Sequence, residues 1–191
     1  MWYYVKWGFW LTVLAIFSLF LNYTLASRDI VYITETEVEF TKFGMNRMFY
    51  SRSEGSADAN EPSRDVKIIR AVRSDGESVI NYRNEDTGLI RWPPYGKTNS
   101  ADLQARAASL VSTAENPKWV IVRHYGWRLN YPVTSYPNAL KITPVDDPNQ
   151  RLIPWWNILI IIGLAALIRA VQVRLWRFFG RLFGRDRTQT V

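Results

Sequence analysis

Residues 7–26 read WGFWLTVLAIFSLFLNYTLA, and no charged side chain occurs between Lys6 and Arg28. A helix needs about 20 apolar residues to cross ~30 Å of hydrocarbon, so this stretch predicts a transmembrane helix over 7–26, with residues 1–6 on one side. Trp2, Tyr3, Tyr4, Trp7 and Trp10 crowd its start, where amphipathic rings sit at headgroup level. A secretory signal peptide is the competing reading, since Lys6 gives a short positive region and Thr24-Leu25-Ala26 loosely resembles a cleavage site. The apolar run exceeds the usual signal core of about 7–15 residues, which favours a retained anchor.

A second apolar run, LIPWWNILIIIGLAALI, follows at 152–168, and a second span is expected over 152–173. Gly163, Ala165 and Ala166 leave a smooth patch on it, without a strict GxxxG spacing. Arginines then dominate: Arg169, Arg174, Arg177, Arg181, Arg185 and Arg187 stand against Asp186 alone. Residues 27–151 hold 17 basic and 16 acidic side chains, so nearly all of the formal +7 lies at the membrane edges. By the positive-inside rule both termini are expected in the cytoplasm and residues 27–151 outside it. Because the surplus charge belongs to a juxtamembrane tail, nucleic acid is discounted as a partner despite the high pI. Within 174–191, Leu175, Phe178, Phe179, Leu182 and Phe183 fall at helical spacings beside an arginine stripe. That pattern predicts a basic amphipathic tail whose Arg169, Arg174, Arg177, Arg181 and Arg185 meet anionic lipid headgroups. An ordinary stop-transfer tail is the plainer alternative.

The outer segment lacks cysteine, as does the whole chain, so disulfides and thiolate metal sites are excluded and stability must come from a packed core. Residues 30–43 alternate in polarity as a half-buried strand does. Residues 51–63, SRSEGSADANEPS, read as an exposed loop. Runs at 65–73 and 78–82 flank Asp75-Gly76, a hairpin signal. Ser100 is placed to cap a helix running to Ala114, and 118–125 and 139–145 read as two further strands. The fold class expected is α+β: a small, mostly antiparallel sheet with one main helix, flanked by the two transmembrane helices. RDIVYI at 28–33 and RDVKII at 64–69 resemble each other too briefly to make a repeat.

The search for chemistry is mostly negative. His124 is the single histidine, so a multi-histidine metal site is impossible, and no nucleophile elbow, Walker loop, HExxH or nucleotide fingerprint occurs. No catalytic residue, metal ligand or cofactor is assigned. Asn84-Glu85-Asp86 offers adjacent carboxylates but reads as a solvated turn. Two aromatic, arginine-bearing segments stand out: Arg91, Trp92 and Tyr95 in one, and His124, Tyr125, Trp127, Arg128 and Tyr131 in the other. Aromatics and arginine dominate binding hot spots, so these eight form the candidate interaction surface, with near-membrane packing as the plainer alternative.

MFY at 48–50, YRNEDTG at 82–88, WPPY at 92–95, NPKW at 116–119, HYGWR at 124–128, YPNA at 136–139 and RLIPWWN at 151–157 resemble an uncharacterised bacterial inner-membrane family, catalogued as a domain of unknown function. The resemblance covers nearly the whole chain and implies a two-span protein with an extracytoplasmic domain. It transfers no catalytic residue. The expected function is that of an accessory or structural component with a membrane-protein partner. The alternative is a periplasmic hydrolase or lyase acting on an envelope substrate through Glu85, Asp86 and His124. Sensing across the membrane lacks support, because the cytoplasmic parts are too short for a signalling domain.

Overall fold

The computed structural model describes residues 2–42, 63–88, 92–131 and 134–183. The elements, in order, are α1 (Trp2–Thr24), β1 (Ser27–Lys42), β2 (Ser63–Arg73), β3 (Val79–Arg83), α2 (Ser100–Ser109), β4 (Trp119–Tyr125), β5 (Asn138–Pro144) and α3 (Trp155–Phe183). Met1–Leu152 form one compact unit and Ile153–Val191 a second. Both α1 and α3 are long and apolar enough to cross a bilayer. α1 begins five residues before the span expected from the sequence, and α3 runs on without interruption from the second apolar stretch into the arginine-rich segment. The expected loop at 51–63 lies outside the described residues except for Ser63, which begins β2 instead.

The fold is α+β, but the sheet does not stay open. Its strands follow the order β1-β2-β3-β5-β4 and close into a barrel. β1 is paired on both edges, with β2 along most of its length and with β4 through Ser27–Tyr32. Closure runs through one parallel pair, Arg83 with Asn138. Alternating polarity identifies strands but carries no information about which edges meet, which is why the closure was not foreseen. Antiparallel neighbours, one parallel β3/β5 contact and a helix between β3 and β4 give the Greek-key connectivity of an OB-fold barrel.

Inside the barrel, Val31 and Ile33 face Ile69, Ala71, Ile80, Val120, Val122 and Ile142, and α2 inserts Leu103 and Ala107 into the same core. The Asp75-Gly76 turn forms as expected: the Asp75 carboxylate accepts from the Glu77 and Ser78 N–H groups, and Gly76 has φ +75°. α2 departs from expectation at both ends. It stops at Ser109 rather than Ala114, because Val111 bridges to Ile33 and the Ser112 N–H bonds the Ile33 carbonyl at 2.8 Å. Ser100 is not its cap but its first residue, and both its N–H and its hydroxyl donate to Asp86, at 2.9 and 2.8 Å. A carboxylate from another segment thus satisfies the helix start.

β1 outruns the barrel. Past an irregularity between Ile33 and Glu35 it keeps pairing with β2 as far as Lys42, whereas β2 meets β3 only from Ile68 to Val72. The result is a two-stranded ribbon. Val38 and Phe40, on one face of it, are each 61% exposed.

Candidate functional site

The last carbonyls of a helix have no partner within it, and here the barrel supplies them. The Gly126 N–H donates to the Tyr23 carbonyl at 3.0 Å, and the Tyr95 hydroxyl to the Thr24 carbonyl. Two indoles add side-chain bonds: Trp92 Nε1 to Thr24 Oγ1 at 3.1 Å and Trp127 Nε1 to Asn22 Oδ1 at 2.8 Å. Gly126 has φ +91°, a backbone conformation that favours glycine, while a Cβ there would make only an ordinary contact with the Tyr23 ring, at 3.6 Å. Rings fill the remaining space. Trp92 stacks on Phe20 with centroids 5.3 Å apart, Tyr23 meets Trp127 edge-on at 5.2 Å, and Tyr95 stacks on Tyr125 at 5.2 Å. The sequence-predicted aromatic segments therefore converge, and they converge on the end of α1 as a collar. Burial raises the pKa of both Tyr95 and Tyr125, keeping both hydroxyls protonated.

His124 belongs elsewhere. It lies on the barrel's inner face after Val120 and Val122, with Nε2 3.0 Å from Asp29 Oδ2. The same oxygen accepts from the Tyr82 hydroxyl at 2.8 Å and is 3.3 Å from Arg73. Burial alone would raise the Asp29 pKa, but the hydrogen bond and charge of His124, the Tyr82 bond and Arg73 outweigh it and hold it at about 2. An ionised carboxylate only accepts, so the hydrogen sits on Nε2. Among the described residues, His124 Nδ1 is buried without a hydrogen-bond partner. Asp29 and Arg73, with Arg28, Ser74, Asp75, Asn149 and Gln150, border an open cleft of about 410 Å³ that mixes both signs of charge.

Of Asn84-Glu85-Asp86, expected as a solvated turn, only Asp86 is exposed. Asn84 and Glu85 are buried, because the chain here passes the β3/β5 closure: the Asn84 N–H bonds the Lys67 carbonyl, and the Glu85 N–H bonds Asn138 Oδ1. Glu85 pairs with buried Arg83 at 3.3 Å. Lys97, 5% exposed, completes this network, with Nζ donating to Asn84 Oδ1 and to the Ala139 carbonyl at 2.7 Å. Burial pushes the Lys97 pKa down to about 7, against the opposing pull of Asp86 and Glu85. A neutral amine has two N–H groups, the number these two acceptors take. Glu85, Asp86 and His124 are thus each engaged by different partners rather than gathered at one reacting centre.

Of the other predicted residues, Arg128 lies over the Tyr136 ring at 4.3 Å and Tyr131 is 90% exposed. Arg91 lies outside the described residues. Arg169, Arg174 and Arg177 are exposed on α3; Arg181 is in the same helix, and Arg185 lies outside the described residues. Sequence reasoning missed Asp29, Tyr82 and Lys97. Asp29 had a usable signal, since it shares parity with Val31 and Ile33 and so faces inward. Among the described residues, no three His, Cys, Asp or Glu side chains come together as metal ligands would.

Residues 3–179 match the family model described as Protein of unknown function (DUF1523). No curated protein and no solved structure matches the chain.

Proposed function

Because the chain belongs to the DUF1523 family, whose function is unknown, its own geometry has to carry the reading, and from it we propose a membrane-anchored interaction module. It serves as an accessory or structural component of a membrane assembly. α1 and α3 span the inner membrane of a bacterium, both termini are cytoplasmic, and the barrel stands in the periplasm. The α3 arginines lie against anionic headgroups.

The β1–β2 ribbon is the observation that carries this reading. Single exposed apolar residues are common, but Val38 and Phe40 share one face of a ribbon that reaches past the barrel. Beyond the Ser112–Ile33 and Asn84–Lys67 bonds, neither ribbon edge meets another named strand among the described residues. An unpaired edge beside an exposed aromatic suits strand addition by a protein partner. The collar supports the same reading, since it holds the barrel firmly on α1 and so presents the ribbon in a fixed direction. A barrel on a loose tether would not need four hydrogen bonds at the helix end.

The test is purification in mild detergent followed by mass spectrometry, comparing the native chain with Val38→Glu and Phe40→Glu. A stoichiometric membrane-protein partner is expected with the native chain, depleted at least tenfold in each variant. A chain that purifies alone, or variants that keep the same partner, overturn the proposal. For the hydrolase or lyase alternative the measurement is complementation by Glu85→Ala, Asp86→Ala and His124→Ala; full complementation by all three ends it.

A further inference from the structure

The two ends of α1 are equipped differently. Its first turns carry Trp2, Tyr3, Tyr4, Trp7 and Trp10 from the helix itself, whereas its last turn offers only Tyr23 as an amphipathic ring. A span normally has such rings at both interfaces. At the far end the indoles come instead from the barrel. Trp92 is 60% exposed, yet one face of its ring lies parallel to Phe20, 14° apart, and its N–H is already given to Thr24. Phe20 is one helical turn inside Thr24, a depth of about 6 Å along the axis. Phe20 is itself 44% exposed, so the two rings form one outward apolar surface continuous with the face of α1. Pro94 beside it is also exposed.

We propose that the Trp92-Pro93-Pro94 loop is embedded in the bilayer interface, so that the outer domain supplies the aromatic belt that α1 lacks at that end. The occupant of this surface is lipid. Its indole N–H is spent internally, and what it presents outward is a bare aromatic face at the level of a helix surface that lipid already covers. The inference rests on α1 spanning the membrane, and it adds that the barrel touches the bilayer rather than standing off from it.

The chain has no cysteine, so a single introduced thiol reports one position. Full-length Trp92→Cys, Pro94→Cys, Leu14→Cys and Val38→Cys are each labelled with an environment-sensitive fluorophore. They are then placed in phosphatidylcholine–phosphatidylglycerol vesicles containing nitroxide lipids, with the nitroxide either near the headgroup or near the chain end. Labels at 92 and 94 should lose most of their emission to the shallow quencher, the label at 14 to the deep one, and the label at 38 to neither. Quenching at 14 without quenching at 92 or 94 overturns this inference and leaves the span intact. Failure at 14 as well removes the span reading itself. Because two loop positions are probed, a folding defect in Trp92→Cys leaves Pro94→Cys to decide.

Discussion

Asp29 and Lys97 are both ionisable side chains turned inward by the same barrel, and burial has opposite outcomes for them. Asp29 meets three donors on one oxygen, two of them able to carry positive charge, and its carboxyl falls to about 2. Lys97 meets two neutral oxygens, and its ammonium falls to about 7. For Asp29 the bonded and charged partners outweigh burial and the charge survives, whereas for Lys97 burial outweighs the pull of Asp86 and Glu85. The Asp29 end of the barrel thus keeps a fixed charge behind an open cleft. The Lys97 end, where the strap from Trp92 to Lys97 ties the collar to the core, keeps a group poised near neutrality.

The largest test of this contrast lies in alkali. The folded value for Lys97 is below the unfolded one, so between about pH 7 and 10.5 the unfolded chain holds a proton that the folded chain lacks. Stability therefore rises with pH through that window, by roughly 3–5 kcal/mol if the whole difference is realised. Thermal melting of the full chain in detergent, native against Lys97→Met, reads it directly. A native curve as flat as that of the variant breaks the contrast. Next in size is Asp29→Ala at pH 7. It leaves the Tyr82 hydroxyl and His124 Nε2 without their acceptor inside the barrel, and a loss of about 3 kcal/mol is expected. A loss below about 1 kcal/mol, the scale of one ordinary hydrogen bond, would mean that the cluster relaxes freely.

How much of this was legible in sequence divides along physical lines. Period-two alternation at 30–43 and the Asp75-Gly76 pair report strands and a turn because those signals are local. Closure depends on one pairing, Arg83 with Asn138, between residues far apart in the chain. It leaves no periodic trace. The aromatic segments were recognisable by composition, yet nothing in WPPY or HYGWR says that their donors are aimed at the carbonyls of Tyr23 and Thr24. Asn84 and Glu85 misled for the complementary reason: polar composition resembles a turn whether the polar groups face water or one another. Lys97 offered no signal at all, since a lysine's burial is set by the path of its loop.

A third expectation concerns acid. The folded value of Asp29 lies below the unfolded one, so its contribution is fully present above about pH 4 and is lost as pH falls toward 2. About 2 kcal/mol should disappear over that range in the native chain, in excess of whatever Asp29→Ala loses over the same range. Equal losses in the two proteins would assign the acid limb to other carboxylates.

The smallest effect separates the donors on Asp29 from one another. Tyr82→Phe keeps the ring in the core and removes only the hydroxyl, 2.8 Å from Asp29 Oδ2. With His124 and Arg73 still in place the carboxylate stays partnered, so the cost at pH 7 should be about 1 kcal/mol rather than the larger loss expected for Asp29→Ala. The pH dependence should move as well. Losing one stabilising bond to the ionised form raises the folded pKa of Asp29 toward its unfolded value, which narrows the window over which acid destabilises the protein. Melting curves from pH 2 to 5 should therefore show a shallower acid limb in Tyr82→Phe than in the native chain. An unchanged limb would mean that the charge of Asp29 is set by His124 and Arg73 alone, and that the tyrosine merely fills space.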